Sequence, residues 1–318
     1  MNLKIYDSKD FPAYLPKLNH LYDDLFTDGK GFRSKLVKIV AEPINLPENA
    51  IHLLCQTIEF IHNASLLHDD LIDRSQLRRG KPAAWTKYTP EYAVLAGDYL
   101  LARVMVNLSG HGNIRLVQYT SEIISDLLEG EWLQDSVVGD FFVSLEQLDR
   151  IHNLKTASLF KWCLRSPFIA QNNHDPVLHQ ILEEMGTFLG QLFQRSDDLL
   201  DYNIRNHEGK AILGDLKSGY LNSFGAFVTQ KMNKKQIDQL IRSQNLDEFE
   251  KAMTAVNPQL TLAASVQQFD QLNQKIIDLY LHHLQEFAKL AQLKGGDQNS
   301  LISSLKVLPD LLYWRKKP

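Results

Sequence analysis

The chain has 318 residues, with 44% hydrophobic and 23% charged content, ordinary values for a globular protein with a large core. A net charge of -4 and the absence of basic-aromatic alternation argue against nucleic acid as a partner. No stretch reaches the roughly 18 apolar residues of a membrane span, and the opening Met-Asn-Leu-Lys-Ile-Tyr-Asp has no signal-peptide apolar region, so a cytoplasmic protein is expected. Two cysteines, Cys55 and Cys163, stand in apolar helical surroundings and fit reduced core thiols. No Pro/Gly/Ser-rich linker, low-complexity run or fixed-period repeat divides residues 1–318, and one domain is expected.

In chain order, nearly everything regular has the 3.6-residue period of helices, with no clear strand alternation or hairpin signal. Pro12 and Pro16 mark an irregular entry. Gly29-Lys30-Gly31-Phe32-Arg33-Ser34 opens a helix over Lys35–Ala41. Glycines at a helix start can cradle phosphate, although a surface turn with two basic residues explains this segment by itself. Pro47 suits a first helical turn, and a long helix is expected from Glu48 to Asp73. Its last turns read Ser65-Leu-Leu-His-Asp69-Asp70-Leu-Ile-Asp73. His62, Asp69 and Asp73 fall close to one line along it.

A basic loop, Arg74 to Pro90, contains Arg78-Arg79-Gly80-Lys81-Pro82. A helix over Glu91–Leu108 carries Gly97-Asp98-Tyr99, and the next holds Glu129-Gly130-Glu131. Ser144 and Gln147 form a capping box with Val143 and Leu148 as its staple, opening a helix to about Ala170 that includes Lys155-Thr156. Asp175-Pro176 opens the next helix, which ends in Gln194-Arg-Ser-Asp197-Asp198-Leu-Leu-Asp201. A loop over Asn203–Tyr220 carries Gly209-Lys210 and Gly214-Asp215. Amphipathic stretches follow over Asn222–Met232, Lys234–Ser243 and Leu260–Leu293, and a basic end closes the chain.

The two acidic clusters share the spacing D-D-x-x-D, which places carboxylates one turn apart on a helix. Like charges stacked in this way are unfavourable, and both clusters are embedded in apolar residues rather than on a solvated face. Carboxylate-only donors suit a hard cation such as Mg²⁺, which binds through a few carboxylates together with substrate phosphates. The scattered basic set Lys30, Arg33, Arg78, Arg79, Lys155 and Lys210 suits a second anion held directly by Lys and Arg. The pattern therefore points to a pair of diphosphate substrates with hydrocarbon tails.

With these motifs in their order, the chain resembles the trans-prenyl diphosphate synthases (polyprenyl synthetase family) over essentially its whole length. The matching stretches are Gly-Lys-Gly-Phe-Arg at 29–33, Ile-His-Asn-Ala-Ser-Leu-Leu-His-Asp-Asp-Leu-Ile-Asp at 61–73 and Arg-Arg-Gly-Lys-Pro at 78–82. Gly-Asp-Tyr-Leu-Leu at 97–101, Lys155-Thr156 and Phe-Gln-Arg-Ser-Asp-Asp-Leu-Leu-Asp-Tyr at 193–202 complete them. The resemblance implies an all-α, isoprenoid synthase-type helical bundle around a central cavity, usually a homodimer. It also implies that Asp69, Asp70, Asp73, Asp197, Asp198 and Asp201 bind Mg²⁺ and the allylic diphosphate. Arg78, Lys155, Gln194 and Lys210 would contact the same diphosphate. Lys30, Arg33, His62 and Arg79 would bind isopentenyl diphosphate, and Lys155, Thr156 and Gln194 would supply dipoles to the allylic cation.

Two departures stand out. Gly219-Tyr220-Leu221-Asn222-Ser223 lacks a lysine usual in the family, for which Lys217 is a substitute candidate, and Arg195-Ser196 replaces two usually apolar residues. These raise the alternative of a catalytically impaired member that binds prenyl or anionic lipid or acts as a regulatory subunit. A terpene cyclase fits less well, having no use for an isopentenyl site. In the family, aromatics four and five residues before the first aspartate stop growth at farnesyl. Here those positions are Ser65 and Ala64, with Ile61 and Phe60 a turn below. Phe60 is either a deeper floor or a core residue. Products longer than farnesyl, from geranylgeranyl to octaprenyl, are expected.

Overall fold

The computed structural model describes residues 9–20, 31–78, 80–202, 212–291 and 296–314. Among these the order is α1 (Phe32–Ala41), α2 (Glu48–Ile72), β1 (Leu77–Arg78), β2 (Lys81–Pro82), α3 (Ala84–Lys87), α4 (Pro90–His111) and α5 (Ile114–Ser136). Then come α6 (Leu145–His152), a π-helical turn (Asn153–Ala157), α7 (Ser158–Ala170) and α8 (Pro176–Leu200). The remainder is α9 (Gly214–Lys217), α10 (Ser223–Thr229), α11 (Lys234–Leu240), α12 (Leu246–Val256), α13 (Leu262–Leu290), α14 (Gln298–Lys306) and α15 (Leu308–Tyr313).

The chain divides into two compact units, one of residues 1–125, 161–179 and 291–301, the other of 126–160, 180–290 and 302–318. In the first, α2 is the central rod. Leu54, Ile58, Phe60, Ile61 and Ala64 are fully buried along it, and α1 and α4 pack against it. Gly97 lets α4 approach closely, because a Cβ there would lie 2.2 Å from His68 Nε2. A buried polar knot ties the entry segment down. The carboxylate of Asp10 accepts from Gln56 (2.8 Å), Arg103 (2.8 Å) and Asn107 (3.0 Å). Such a knot is stable only because every member is satisfied.

In the second unit an aromatic core gathers Tyr202, Phe224, Phe249 and Phe269. The ring of Tyr202 meets Phe224 edge-on at 4.7 Å, an arrangement that aromatic quadrupoles favour. The capping box of Ser144 and Gln147 forms as expected, with Val143 and Leu148 buried beside it.

Three features differ from the sequence expectation. Helix α1 begins at Phe32, three residues early, because Gly31 adopts φ 55 ahead of it. The basic loop contains a minimal antiparallel ladder, Leu77 opposite Pro82 and Arg78 opposite Lys81, turning at Gly80 with φ 76. It is too short to leave a period-2 signal. The helix expected to run unbroken to Ala170 holds a π-turn over Asn153–Ala157.

Candidate active site

The π-turn falls on Lys155-Thr156. π-Bulges cost hydrogen-bond geometry and concentrate at functional sites. Its cause lies in its neighbours within the second unit. A Cβ on Gly130 would come within 2.8 Å of Lys155 N, and one on Gly190 within 2.3 Å of Ala157 Cα. Two glycines thus let α5 and α8 press on the turn from two helices. Lys155 is ion-paired with Glu131, both largely covered. Thr156 Oγ1 donates to Gln194 Oε1 at 2.9 Å, and Gln194 Nε2 donates to Asp198 Oδ1 at 2.8 Å.

Around this line the second cluster is held by backbone donors. The other oxygen of Asp198 accepts from Ser223 N–H at 2.9 Å, and Asp201 Oδ2 accepts from Asp215 N–H at 2.8 Å. Asp215 in turn accepts from Asn222 Nδ2 at 2.9 Å, while Asn222 Oδ1 caps α10. Asp198 and Asp201 are both 2% exposed, and Asp197 is half-buried. Burial raises the Asp198 carboxyl above its ordinary range, and the charge of Asp197 adds to this against the hydrogen bonds that lower it. Tyr220, which stands where the lysine is missing, is half-buried beside this cluster, its phenol pushed up by burial and then by Asp198 and Asp215. Lys217 is exposed and donates to the Ile212 carbonyl at 3.1 Å.

In the first unit, Asp69 is half-buried, Asp73 is exposed at the end of α2 and Asp70 is buried. Arg78 Nε donates to both oxygens of Asp70, at 2.9 and 3.1 Å, and its Nη2 adds a further bond. The small ladder is what brings Arg78 back to α2. Arg33 Nη1 bonds His62 Nε2 at 2.9 Å, so two residues expected in one subsite are indeed neighbours. Ser34 N–H, at the start of α1, donates to Glu59 Oε1 at 3.1 Å. Cys55 and Cys163 are free, and their thiols donate to the carbonyls of Ser34 and Arg33. Burial pushes the Cys55 thiol up to about 12 and Cys163 well up too, so both are packing groups and not nucleophiles.

Lys30, Arg79, Lys210 and the Arg315-Lys316-Lys317 end lie outside the described residues. Of the chain-length candidates, Ser65 is half-exposed, its hydroxyl donating to the His62 carbonyl, while Ala64 and Ile61 are fully buried. Phe60 is fully buried with its ring edge-on to Phe11 at 6.0 Å. Nine residues separate Phe60 from Asp69, which on a helix puts them on opposite faces. Glu131, Asp215, Asn222 and Ser223 contact the expected site residues or each other, and the sequence assigned none of them to the site. Glu131 and Asp215 stood in stretches the sequence singled out, and Asn222 is a helix-capping residue type, but none of these signals named a partner.

Arg195 and Ser196 point away from the carboxylates. Arg195 is 3% exposed and holds Asp149 through two bonds of 2.9 and 2.8 Å. It is therefore a buried partner of Asp149.

Among the described residues no three carboxylate, imidazole or thiol groups already converge as a metal site. The donor chemistry nonetheless fits a hard divalent cation. Asp69 and Asp73 offer oxygens a turn apart, and the buried Asp198 beside Asp197 is a charge pair that a cation would relieve.

Comparisons with known proteins bear on the family and the fold. A family model described as polyprenyl synthetase matches residues 15–257. The octaprenyl diphosphate synthase of Escherichia coli (strain K12) is 34% identical over 192 residues, 60% of this chain and 59% of that protein, so the chain spans about three fifths of that curated relative. The crystal structure of a decaprenyl diphosphate synthase from Rhodobacter capsulatus matches with a TM-score of 0.80 at 27% identity, covering 96% of this chain and 92% of that one. A polyprenyl synthase from Caulobacter crescentus CB15, crystallised with calcium and isoprenyl diphosphate, gives 0.74 at 25% identity over 96% and 90% of the two chains. The fold is all-α and isoprenoid synthase-type, and the chain belongs to the polyprenyl synthetase family.

Proposed function

We propose that the chain condenses isopentenyl diphosphate with an allylic prenyl diphosphate to give a trans-polyprenyl diphosphate longer than farnesyl, in the geranylgeranyl to octaprenyl range. The observation that carries this reading is the hydrogen-bonded line Thr156–Gln194–Asp198 beside Lys155, built on a π-turn. It is supported by relatives named octaprenyl and decaprenyl diphosphate synthase. The family match runs through both compact units, which supports one functional domain over residues 1–318.

In this reading Asp69, Asp70, Asp73, Asp197, Asp198 and Asp201 are the residues that would hold Mg²⁺ for the allylic diphosphate. Bound Mg²⁺ supplies electrophilic assistance to the departing diphosphate. Arg78, Lys155, Lys210 and Gln194 bind the same group, and cations aimed at a leaving group stabilise its developing charge. The carbon–oxygen bond of the allylic substrate breaks with its electron pair on diphosphate. Thr156 and Gln194, each fixed by the other, present ordered dipoles to the allylic carbon cation. Lys30, Arg33, His62 and Arg79 orient isopentenyl diphosphate so that its double bond forms the new carbon–carbon bond, and the proton released leaves on the freed diphosphate. Arg33 donates to His62, which fixes the imidazole as an acceptor at Nε2 and leaves Nδ1–H as a donor.

The deciding experiment is product analysis of the purified chain with isopentenyl diphosphate, Mg²⁺ and dimethylallyl, geranyl, farnesyl or geranylgeranyl diphosphate in turn. A ladder ending in one dominant product above farnesyl is expected. No incorporation from any primer would overturn the reading. Ser65 is the accessible position of the chain-length set, so Ser65→Phe is expected to shorten the dominant product. Phe60→Ala should instead cost about 3–5 kcal/mol of stability, read by denaturant unfolding, with little change in product length.

Among the described residues, no helix is long and apolar enough to cross a membrane. A cytoplasmic location is supported by the two free buried thiols. A homodimer is supported by an apolar stripe on α4, where Leu95 is 69% and Val106 56% exposed with Ala102 between them. Residues seven and eleven apart share one helix face, and an unfilled face of this kind fits a second copy.

A further inference from the structure

We propose that Arg195 and Ser196 make the C-terminal segment Leu308–Trp314 a positioning element for the second aspartate cluster. The inference rests on the prenyltransferase reading for its functional consequence, and on geometry for its mechanics. Ser196 Oγ donates to the Tyr313 carbonyl at 2.8 Å. The Tyr313 hydroxyl donates to Asp270 at 2.7 Å and accepts from Asn273 Nδ2 at 2.9 Å. Asn273 Oδ1 accepts from Arg195 Nη1 at 2.9 Å, and Arg195 Nη2 closes the line on Asp149. Arg195 also lies 5.8 Å from the centre of the Phe269 ring.

This network runs behind the site. On α8 Gln194, Asp197 and Asp198 occupy one arc, which Asp201 would extend just past the helix end, while Arg195 and Ser196 fall outside it. Arg195, Ser196, Asn273 and Tyr313 are all at most 4% exposed, so each polar atom left without its partner would be costly. An apolar pair at 195 and 196 would pack against several rotations of α8. A buried hydrogen-bonded pair is satisfied in one register only, which is the means by which polar core groups select a single arrangement. The same arginine reaches Asp149 on α6, four residues before the π-turn that carries Lys155 and Thr156. Segment, acidic helix and π-turn are thereby set against one another.

The test uses the full chain with Ser196→Ala, Tyr313→Phe and the double substitution. Tyr313→Phe keeps the ring that packs with Leu192, Ile276 and Ile277, so folding is retained. Hydrogen exchange followed by mass spectrometry is expected to show about tenfold faster exchange confined to the end of α8 and the turn after it, residues 196–202, in either single variant. The double variant should add little, since both substitutions break one network. In steady-state kinetics KM for the allylic diphosphate should rise about tenfold, with KM for isopentenyl diphosphate unchanged. Unchanged exchange at residues 196–202, or exchange raised evenly through the helix with both KM values intact, would overturn the proposal and leave a packing role. If the unsubstituted chain extends no primer, the function reading fails, while the exchange pattern still decides whether the clamp positions α8.

Discussion

Asp198→Asn is expected to lower isopentenyl incorporation by about 10²–10³-fold, because in the proposed site this carboxylate would hold the Mg²⁺ that stabilises developing charge on diphosphate. The metal-free protein should lose no stability. Burial raises the Asp198 carboxyl above its ordinary value of 3.8. A carboxyl raised in this way contributes stability below its unfolded pKa and loses it as pH rises through the folded one, so at neutral pH its charge is a net cost. The amide can also be accommodated. Its oxygen keeps the Ser223 N–H, its nitrogen donates to a turned Gln194, and the Gln194 amide then donates to the Thr156 hydroxyl, which accepts as readily as it donates. Thermal unfolding without metal should therefore be unchanged or slightly higher, and the rise in melting temperature on adding Mg²⁺ and an allylic diphosphate should shrink. A large loss of metal-free stability would show that the charge of Asp198 is already compensated within the fold.

Gly190→Ala should damage both stability and turnover. The new methyl would sit 2.3 Å from Ala157 Cα and 2.4 Å from its Cβ, against backbone that has no free rotation to yield. Overpacking of this kind costs about 1–3 kcal/mol. Relief requires the π-turn to move, and with it Lys155 and Thr156. In the proposed site these two groups face the allylic substrate, and a displacement of about 1 Å there costs roughly 10²-fold in rate. Denaturant unfolding and single-turnover kinetics measure the two effects separately. Gly110→Ala is the control, because nothing lies within 4 Å of its added carbon in α4. It should be neutral or mildly stabilising, as expected for an alanine within an exposed helix.

The alternative of an impaired binding or regulatory subunit was motivated by Arg195-Ser196 and Tyr220. The first motive no longer stands, since both side chains are used inside the second unit. Tyr220 remains a departure with a defined neighbourhood. The segment containing it still serves the cluster through Asn222 and the backbone of Ser223.

The sequence by itself determined the all-helical class, the two D-D-x-x-D clusters, the capping box at Ser144 and Gln147 and the order of motifs that identifies the family. These are local facts. A helix repeats every 3.6 residues, so spacing alone says which side chains share a face and where a cap must stand. The tertiary structure alone decided the π-turn at Lys155, the return of Arg78 onto Asp70, the pairing of Lys155 with Glu131 and the inward turn of Phe60 to Phe11. It also decided that Arg195 is a strut. Each depends on partners eight to 78 residues away in the chain, or on a missing Cβ on a neighbouring helix. Periodicity carries no record of which distant face a helix will meet, and the register of that meeting is chosen by packing and by the cost of leaving buried polar groups unpaired.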